Sequence, residues 1–482
     1  MIRKLLIFLH RYLGMALCLV FLVWFLSGIA MIYVREMPSL TAESRLEHLP
    51  LLDFQRIKIG PSEAAARAQL PGPPPRAAML MVMGRPAYRF SVPEFVTVFA
   101  DTGEVMNPPG APESLAIASR FLNLPDSSLH HVRRLEERDQ WTIGNGNMLP
   151  MHRISVDDDA HTELYVSEQS GEVTVVTTRA SRALAWVSAI PHWFYLEILR
   201  TNGLLWTRVV LWTSGVGAFL VLMGLVLAVI QYSRRPPHIP YAGWMRWHYI
   251  TGAVFGVFTL TWTVSGFLSM EPWDWASQGG LGDRMRGTFS GGPLDLGQFP
   301  ESPARFPVSG IKEIEFLRIQ GDAYYAVKSE SIRPTLVAAK SLAIHDAGFS
   351  TDSLVGKAKE ANPDVAIGEV TELARYDSYY YSQDGDAPLP VLRLKFEDPD
   401  KTWFYIDPKM GRILARYQKR ERLQRWIYHG LHSLDFSFWY YKRPAWDIGV
   451  IVLCLGGAAL SAIGVFISVR RLRLDIRSLT RR

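Results

Sequence analysis

The sequence predicts an integral membrane protein with four transmembrane α-helices, arranged as two tandem pseudo-symmetric repeats that each carry an extracytoplasmic α+β domain. Three observations carry this prediction. Four long stretches are almost free of charge, Lys and Arg gather at those ends of the stretches that must share one side, and residue identities recur at a constant offset between the two halves of the chain.

The charge-poor stretches are Val20–Val34 with a lead-in from Leu5, Val209–Ile230, Ile250–Met270 and Ile448–Val469. Each reaches or approaches the roughly 20 apolar residues that a helix needs to cross about 30 Å of hydrocarbon. The first is not read as a cleaved leader, because its apolar run continues to Tyr33 with no small-residue cleavage site behind it. Arg3, Lys4 and Arg11 flank the first span, Arg234, Arg235 and Arg246 lie between the second and third, and a run of arginines from Arg470 to Arg482 closes the chain. By the positive-inside rule both termini and the middle loop are cytoplasmic, which puts the long segments outside, as in a multi-pass bacterial inner-membrane protein. These anchors account for most of the net charge of +6, so nucleic-acid binding is not inferred.

In order, the chain reads as a transmembrane helix over 1–35, an outer domain over 36–181, an aromatic interfacial segment over 182–202 and a second helix over 203–233. A cytoplasmic loop over 234–245 leads to a third helix over 246–270 and a second outer domain over 271–421. A second aromatic segment over 422–443, a fourth helix over 444–469 and a basic tail over 470–482 complete it. Cys18 and Cys454 fall inside spans and read as small packing residues.

The repeat is visible by inspection. His10, Gly14, Trp24, Ser27 and Gly28 recur as His248, Gly252, Trp262, Ser265 and Gly266, all at one offset. Thr162, Tyr165, Gly171, Arg182, Trp186, His192, Trp206, Gly217 and Gly224 recur at a second offset, two positions longer, as Thr402 through Gly464. Copies of two spans each have the same orientation and are expected to face each other about an axis along the membrane normal. In the outer segments, 62–69 reads as a short helix, and strand–turn–strand units are expected over 78–92, 95–106, 163–176 and 402–417. Pro71–Pro75 and Gly279–Gly297 read as loops.

The His10-x-x-x-Gly14 opening, the Thr402-Trp-Phe-Tyr-Ile-Asp-Pro-Lys-Met-Gly411 turn and the Arg425-Trp-Ile-Tyr-His-Gly-Leu-His432 segment resemble the PepSY-associated transmembrane family. The first copy departs from that turn with Ser167-Glu-Gln-Ser-Gly171. The resemblance implies an extracytoplasmic PepSY-like domain in each copy and a haem-containing reductase of ferric siderophores.

His10 and His248 sit one to two turns inside the cytoplasmic ends of their spans, where an ionisable side chain is costly. Facing each other, with Gly14 and Gly252 one turn on, they suit bis-imidazole ligation of a b-type haem. The alternative is a pair of neutral interfacial imidazoles hydrogen-bonded to carbonyls or headgroups. His192 and His432 form a second pair on the outer side, each at the same distance in sequence before its equivalent tryptophan, Trp206 or Trp446, and point to a second haem b. An ordinary aromatic belt with incidental histidines is the alternative there. His429, whose counterpart is Ala189, is an alternative ligand or a propionate partner, and Arg182, Arg208 and Arg422 are candidate propionate partners. His48, His130, His131, His152, His161, His238 and His345 read as solvated or loop residues.

No nucleotide-binding, zincin or covalent-haem motif is found, and no catalytic residue is assigned. Electrons would come from a cytoplasmic or quinol donor. The leading reading is a transmembrane electron conduit that reduces a ferric complex held between the two outer domains. Its rival is a non-redox membrane protein whose outer domains bind a peptide, protease or envelope partner. A transporter is disfavoured by spans without buried Asp, Glu or Lys.

Overall fold

The computed structural model describes residues 1–34, 36–92, 94–273, 281–300, 306–382 and 386–479, which fall into two compact units. The helix unit comprises Met1–Met37, Ser181–Ala276 and Arg420–Arg482, and the sheet unit comprises Pro38–Ala180 and Ser277–Lys419.

Among the described residues four helices are long and apolar enough to cross a membrane: Ile2–Met31, Gly203–Gln231, Gly243–Ser269 and Ala445–Leu479. The shortest has 27 residues and extends about 40 Å at 1.5 Å per residue, more than a hydrocarbon core requires. The second starts where Asn202 accepts a hydrogen bond from the Leu205 N–H at 3.0 Å, which satisfies one donor of the first turn. The fourth runs past the expected end at 469, because Arg and Leu are good helix formers and no Gly or Pro interrupts 470–479.

Glycines let aromatic rings fill the centre of this bundle. A Cβ on Gly457 would lie 2.3 Å from Phe25, and one on Gly217 would lie 2.9 Å from Phe21, so each ring occupies space that only glycine leaves open. Between spans, the aromatic segments form short turns rather than one helix. These are Arg179–Val187, Ala189–His192 and Glu197–Arg200 in the first half, and Lys419–Arg425, a π-turn at Trp426–Gly430, Leu431–Ser433 and Ser437–Tyr440 in the second.

The sheet unit contains three antiparallel sheets. One follows the order β4 (Leu129–Leu135), β5 (Met151–Val156), β6 (Glu163–Ser167) and β7 (Val173–Thr177). Another follows β11 (Ile367–Leu373), β12 (Val391–Phe396), β13 (Trp403–Asp407) and β14 (Arg412–Tyr417). The expected turns fall at Gly171 and Gly411, both at positive φ, where a side chain would strain the backbone. The two sheets also repeat contacts away from these turns. Thr162 and Thr402 donate their hydroxyls to Asp158 and Asp398 at 2.6 and 2.7 Å, and the Tyr165 and Tyr405 hydroxyls reach Asp139 and Asp377 at 3.1 and 2.8 Å.

The third sheet joins the two outer segments, which the sequence reading had kept apart as domains. It contains β1 (Arg76–Val82), β2 (Arg85–Val92), β3 (Glu94–Phe99), β8 (Glu313–Ile319), β9 (Asp322–Lys328) and β10 (Thr335–Ala338), in the order β10-β9-β8-β1-β2-β3. The junction is the β1–β8 pair, with Ala77 opposite Phe316 and Leu80 opposite Glu313. Pairing these strands removes two open edges, each of which would leave backbone groups unsatisfied. Beneath the junction Met79, Tyr88, Phe90, Phe316 and Tyr325 form one core. Charges also bridge it: Arg45 reaches Glu172 at 3.1 Å and Glu313 at 2.7 Å, Lys328 reaches Glu313 at 2.6 Å, and Arg89 pairs with Glu172.

One stretch expected as loop is partly helical. Leu281–Ser290, inside the glycine-rich segment, forms a helix that buries Met285 and Phe289 against Leu354, Leu394 and Phe404. Burial of that face outweighs the roughly 1 kcal/mol helix penalty of each of Gly282 and Gly287. Gly279 and Gly280 lie outside the described residues.

Candidate functional site: two imidazole pairs in the helix unit

The first and third spans carry His10 and His248 near their N-terminal ends, and the fold brings the two rings to a centroid separation of 6.2 Å. His10 Nδ1 donates to the Leu220 carbonyl at 3.2 Å. Because a carbonyl can only accept, this bond places the proton on Nδ1 and leaves Nε2 as a bare nitrogen donor. His248 faces the equivalent Leu460 carbonyl, but its buried Nδ1 lacks hydrogen-bond geometry to any partner. Glycine makes the room: a Cβ on Gly224 would stand 2.8 Å from His10 Cε1. A cavity of about 390 Å³ opens beside the pair, lined by Gly14, Gly224, Gly252 and Gly464 among mainly apolar neighbours.

His192 and His432 meet in the same way, with ring centroids 6.0 Å apart. These two sit on short turns outside the spans and are tied back to the spans by serine. Ser27 Oγ donates its single proton to the Trp24 carbonyl at 3.1 Å, so it must accept from His192 Nδ1, also at 3.1 Å. Ser265 Oγ donates to the Trp262 carbonyl at 3.0 Å and accepts from His432 Nδ1 at 2.9 Å. Nε2 is left unprotonated in both rings. Burial pushes His192 down to about 4 and His432 down to about 3, which keeps both imidazoles neutral at physiological pH.

The turns after these histidines are built alike. Phe194 and Leu434, each two positions on, have φ of 51° and 50°, a left-handed conformation costly for side chains of that size. The Trp206 indole donates to the Trp193 carbonyl at 2.8 Å and the Trp446 indole to the Leu434 carbonyl at 3.0 Å, holding each reversal. This explains why the spacing from His192 to Trp206 is the same as that from His432 to Trp446.

The pairs suit a tetrapyrrole iron. Two metal–nitrogen bonds of about 2.0 Å, plus about 1.1 Å from each nitrogen to its ring centre, require centroids roughly 6 Å apart. Both observed separations meet that. Among the described residues no cluster of three or more His, Cys, Asp or Glu side chains could hold a bare metal ion. Two nitrogens suffice only where the equatorial ligands come with the metal.

Of the two neighbouring histidines, His432 is the one set against His192, whereas the His429 ring meets Tyr428 edge-on at 4.9 Å. Arg208 is exposed on the second span, and Arg182 and Arg422 are half-buried and already engaged within the chain. The sequence reading assigned no role to Ser27 and Ser265, to the Leu220 and Leu460 carbonyls, or to Tyr428, which stacks on His432 at 5.3 Å. It also missed the buried Arg425–Asp435 ion pair, 2.5 Å long, beside the second pair. For the serines the signal was present, since Ser27-Gly28 and Ser265-Gly266 recur at the histidine offset. In the sheet unit His152, expected at the surface, is buried and shares a 2.8 Å hydrogen bond with His131, because its strand turns that position inward.

The chain belongs to the PepSY-associated TM family: the family's transmembrane region matches residues 8–471, nearly its whole length. It is a multi-pass membrane protein. No curated protein matches it.

Proposed function

We propose that this PepSY-associated protein is a b-type haem protein of a bacterial inner membrane, which carries electrons across the bilayer to reduce ferric iron or a ferric siderophore in the periplasm. The observation that carries the reading is the doubled imidazole pair, at 6.2 and 6.0 Å, with the Nδ1 atoms of His10, His192 and His432 occupied and their Nε2 atoms left to bind. His10 with His248, and His192 with His432, would hold the haem irons. The cationic span ends put both termini in the cytoplasm, so the first pair lies toward the cytoplasm and the second toward the periplasm.

Two tandem copies about a pseudo-two-fold axis account for the paired contacts. Ser27 on His192 and Ser265 on His432, Phe194 and Leu434 at positive φ, and the two Asp–Thr turns of the sheet unit each recur at one of the two repeat offsets. His10 and Ser27 lie on one helix roughly five turns apart, which places the pairs about 25 Å from each other along it. Haem bound at both sites would supply the reversible one-electron chemistry of iron. The chain's part is to fix ligand tautomers, exclude water and set the dielectric around each ring. A quinol or a cytoplasmic reductant is the donor. The ferric acceptor rests on the family resemblance and on chemistry: Fe(II) binds hard oxygen donors less tightly than Fe(III), so reduction frees iron.

The test is a reduced-minus-oxidised visible spectrum of the purified protein and of His10→Ala, His192→Ala, His432→Ala and His429→Ala. Each of the first three should lose one of two low-spin b haems, and His429→Ala should keep both. A set of variants with unchanged spectra would sink the ligand assignment. Protein without haem from haem-replete cells would leave the non-redox reading, in which PepSY-like domains bind a peptide, protease or envelope partner.

A further inference from the structure

The cavity beside His10 and His248 has a polarised mouth. Arg11, Arg471, Gln231 and Tyr249 all line it, and no acidic side chain among the described residues does. These four form two equivalent couples, since Tyr249 follows Arg11 at the offset that relates His248 to His10, and Arg471 follows Gln231 at the offset that relates Gly464 to Gly224. In each couple one member is cationic and the other neutral. Both cations come from the first and fourth spans, and the neutral members come from the second and third.

Among the described residues nothing absorbs this charge fully. Arg11 has no acidic partner among the described residues, and Arg471 meets Asp475 at 3.1 Å through Nε, one helical turn on, in an exposed pair worth little. Tyr249 is spent, its hydroxyl donating to the Ala228 carbonyl at 2.5 Å. The cavity therefore combines apolar walls, two imidazoles and two guanidinium groups on one side of its rim. A ligand matching all three is flat and apolar, carries a metal open to nitrogen on both faces, and bears anionic groups at one edge.

We propose that Arg11 and Arg471 bind the two carboxylates of the tetrapyrrole seated between His10 and His248, drawing that edge toward the first and fourth spans. This rests on the haem reading. Guanidinium matches carboxylate geometry with two parallel hydrogen bonds. The second pair has a different surround, so the effect is confined to the first site.

The experiment uses full-length protein made in haem-deficient cells in a His192→Ala background, so that only the first site reports. It is titrated with haem and with haem dimethyl ester, which lacks the charges, and compared with an Arg11→Gln/Arg471→Gln variant and an Arg470→Gln/Arg473→Gln control. The parent and the control should prefer haem over the ester by about tenfold or more, the equivalent of one charge-assisted hydrogen bond, and the double variant should lose most of that preference. In otherwise native protein the double variant should also shift the midpoint potential of the first haem alone. An equal preference for haem in parent and double variant would overturn the assignment. A parent that takes up neither compound would instead refute the haem reading on which it stands.

Discussion

The two imidazole pairs have nearly the same ring separation, yet different parts of the chain hold them. His10 and His248 lie within long spans; His10 is oriented by the Leu220 carbonyl of a facing span, His248 only faces the Leu460 carbonyl, and glycine gives the clearance. His192 and His432 lie on short turns and are oriented by Ser27 and Ser265, while Trp206 and Trp446 hold the turns in place. The first site is thus set by how helices pack, and the second by side-chain hydrogen bonds that a single atom can remove. The two also differ in balance, because Tyr428 stacks on His432 whereas its counterpart Ser188 bonds its own helix.

This contrast predicts variants that separate the sites. The largest effect is expected for Gly224→Val, which pushes atoms into the His10 ring and should abolish the first haem while the second keeps its spectrum. Loss of both haems would mean that the sites share one packing unit. Next, Ser27→Ala and Ser265→Ala leave an Nδ1–H without its acceptor and should weaken haem retention at the second site about 10- to 100-fold. They should also raise its potential, because an imidazole with a weaker partner is a poorer donor to the ferric state; an unchanged second site would show that the serines are incidental. Smaller still, Tyr428→Leu should alter the ferric electron paramagnetic resonance signal of the second haem alone, with Tyr428→Phe close to native.

The sheet unit provides a further contrast, because a buried cluster of ion pairs adds to its apolar core at the β1–β8 junction. Arg89→Ala breaks a buried pair with Glu172 and should cost about 3 kcal/mol of that unit's stability, read by chemical denaturation, without moving either haem band. Acid should act on the same place. Burial alone would raise the Glu313 carboxyl, but Arg45 and Lys328 more than offset this and hold it down to about 2. Glu172 is likewise lowered against its own burial, by Arg89 and Arg45. The stability these carboxylates contribute is complete above their ordinary value of 4.5 and is lost as pH falls below it through their lowered values, about 2 for Glu313. Melting of the sheet unit that does not vary across that window would contradict the role of the cluster.

The spans were legible because a bilayer demands long apolar helices, and the four paired histidines because one residue pattern recurs at fixed offsets. The joining of β1 to β8 was not, since strand edges carry no mark of a partner so distant in the chain. Nor was the helix Leu281–Ser290, where burial of Met285 and Phe289 overrides local glycine preference. The Arg425–Asp435 pair escaped notice because its first-copy counterparts are Ala185 and Tyr195, so the repeat gave no signal there.

The most direct measurement of haem in this protein is a pyridine haemochrome count on the purified wild-type chain, set against its protein concentration. Two haem b per chain, both low-spin, is the expected result. A count near zero from haem-replete cells would contradict it, and a count of one would leave only one of the imidazole pairs as a haem site.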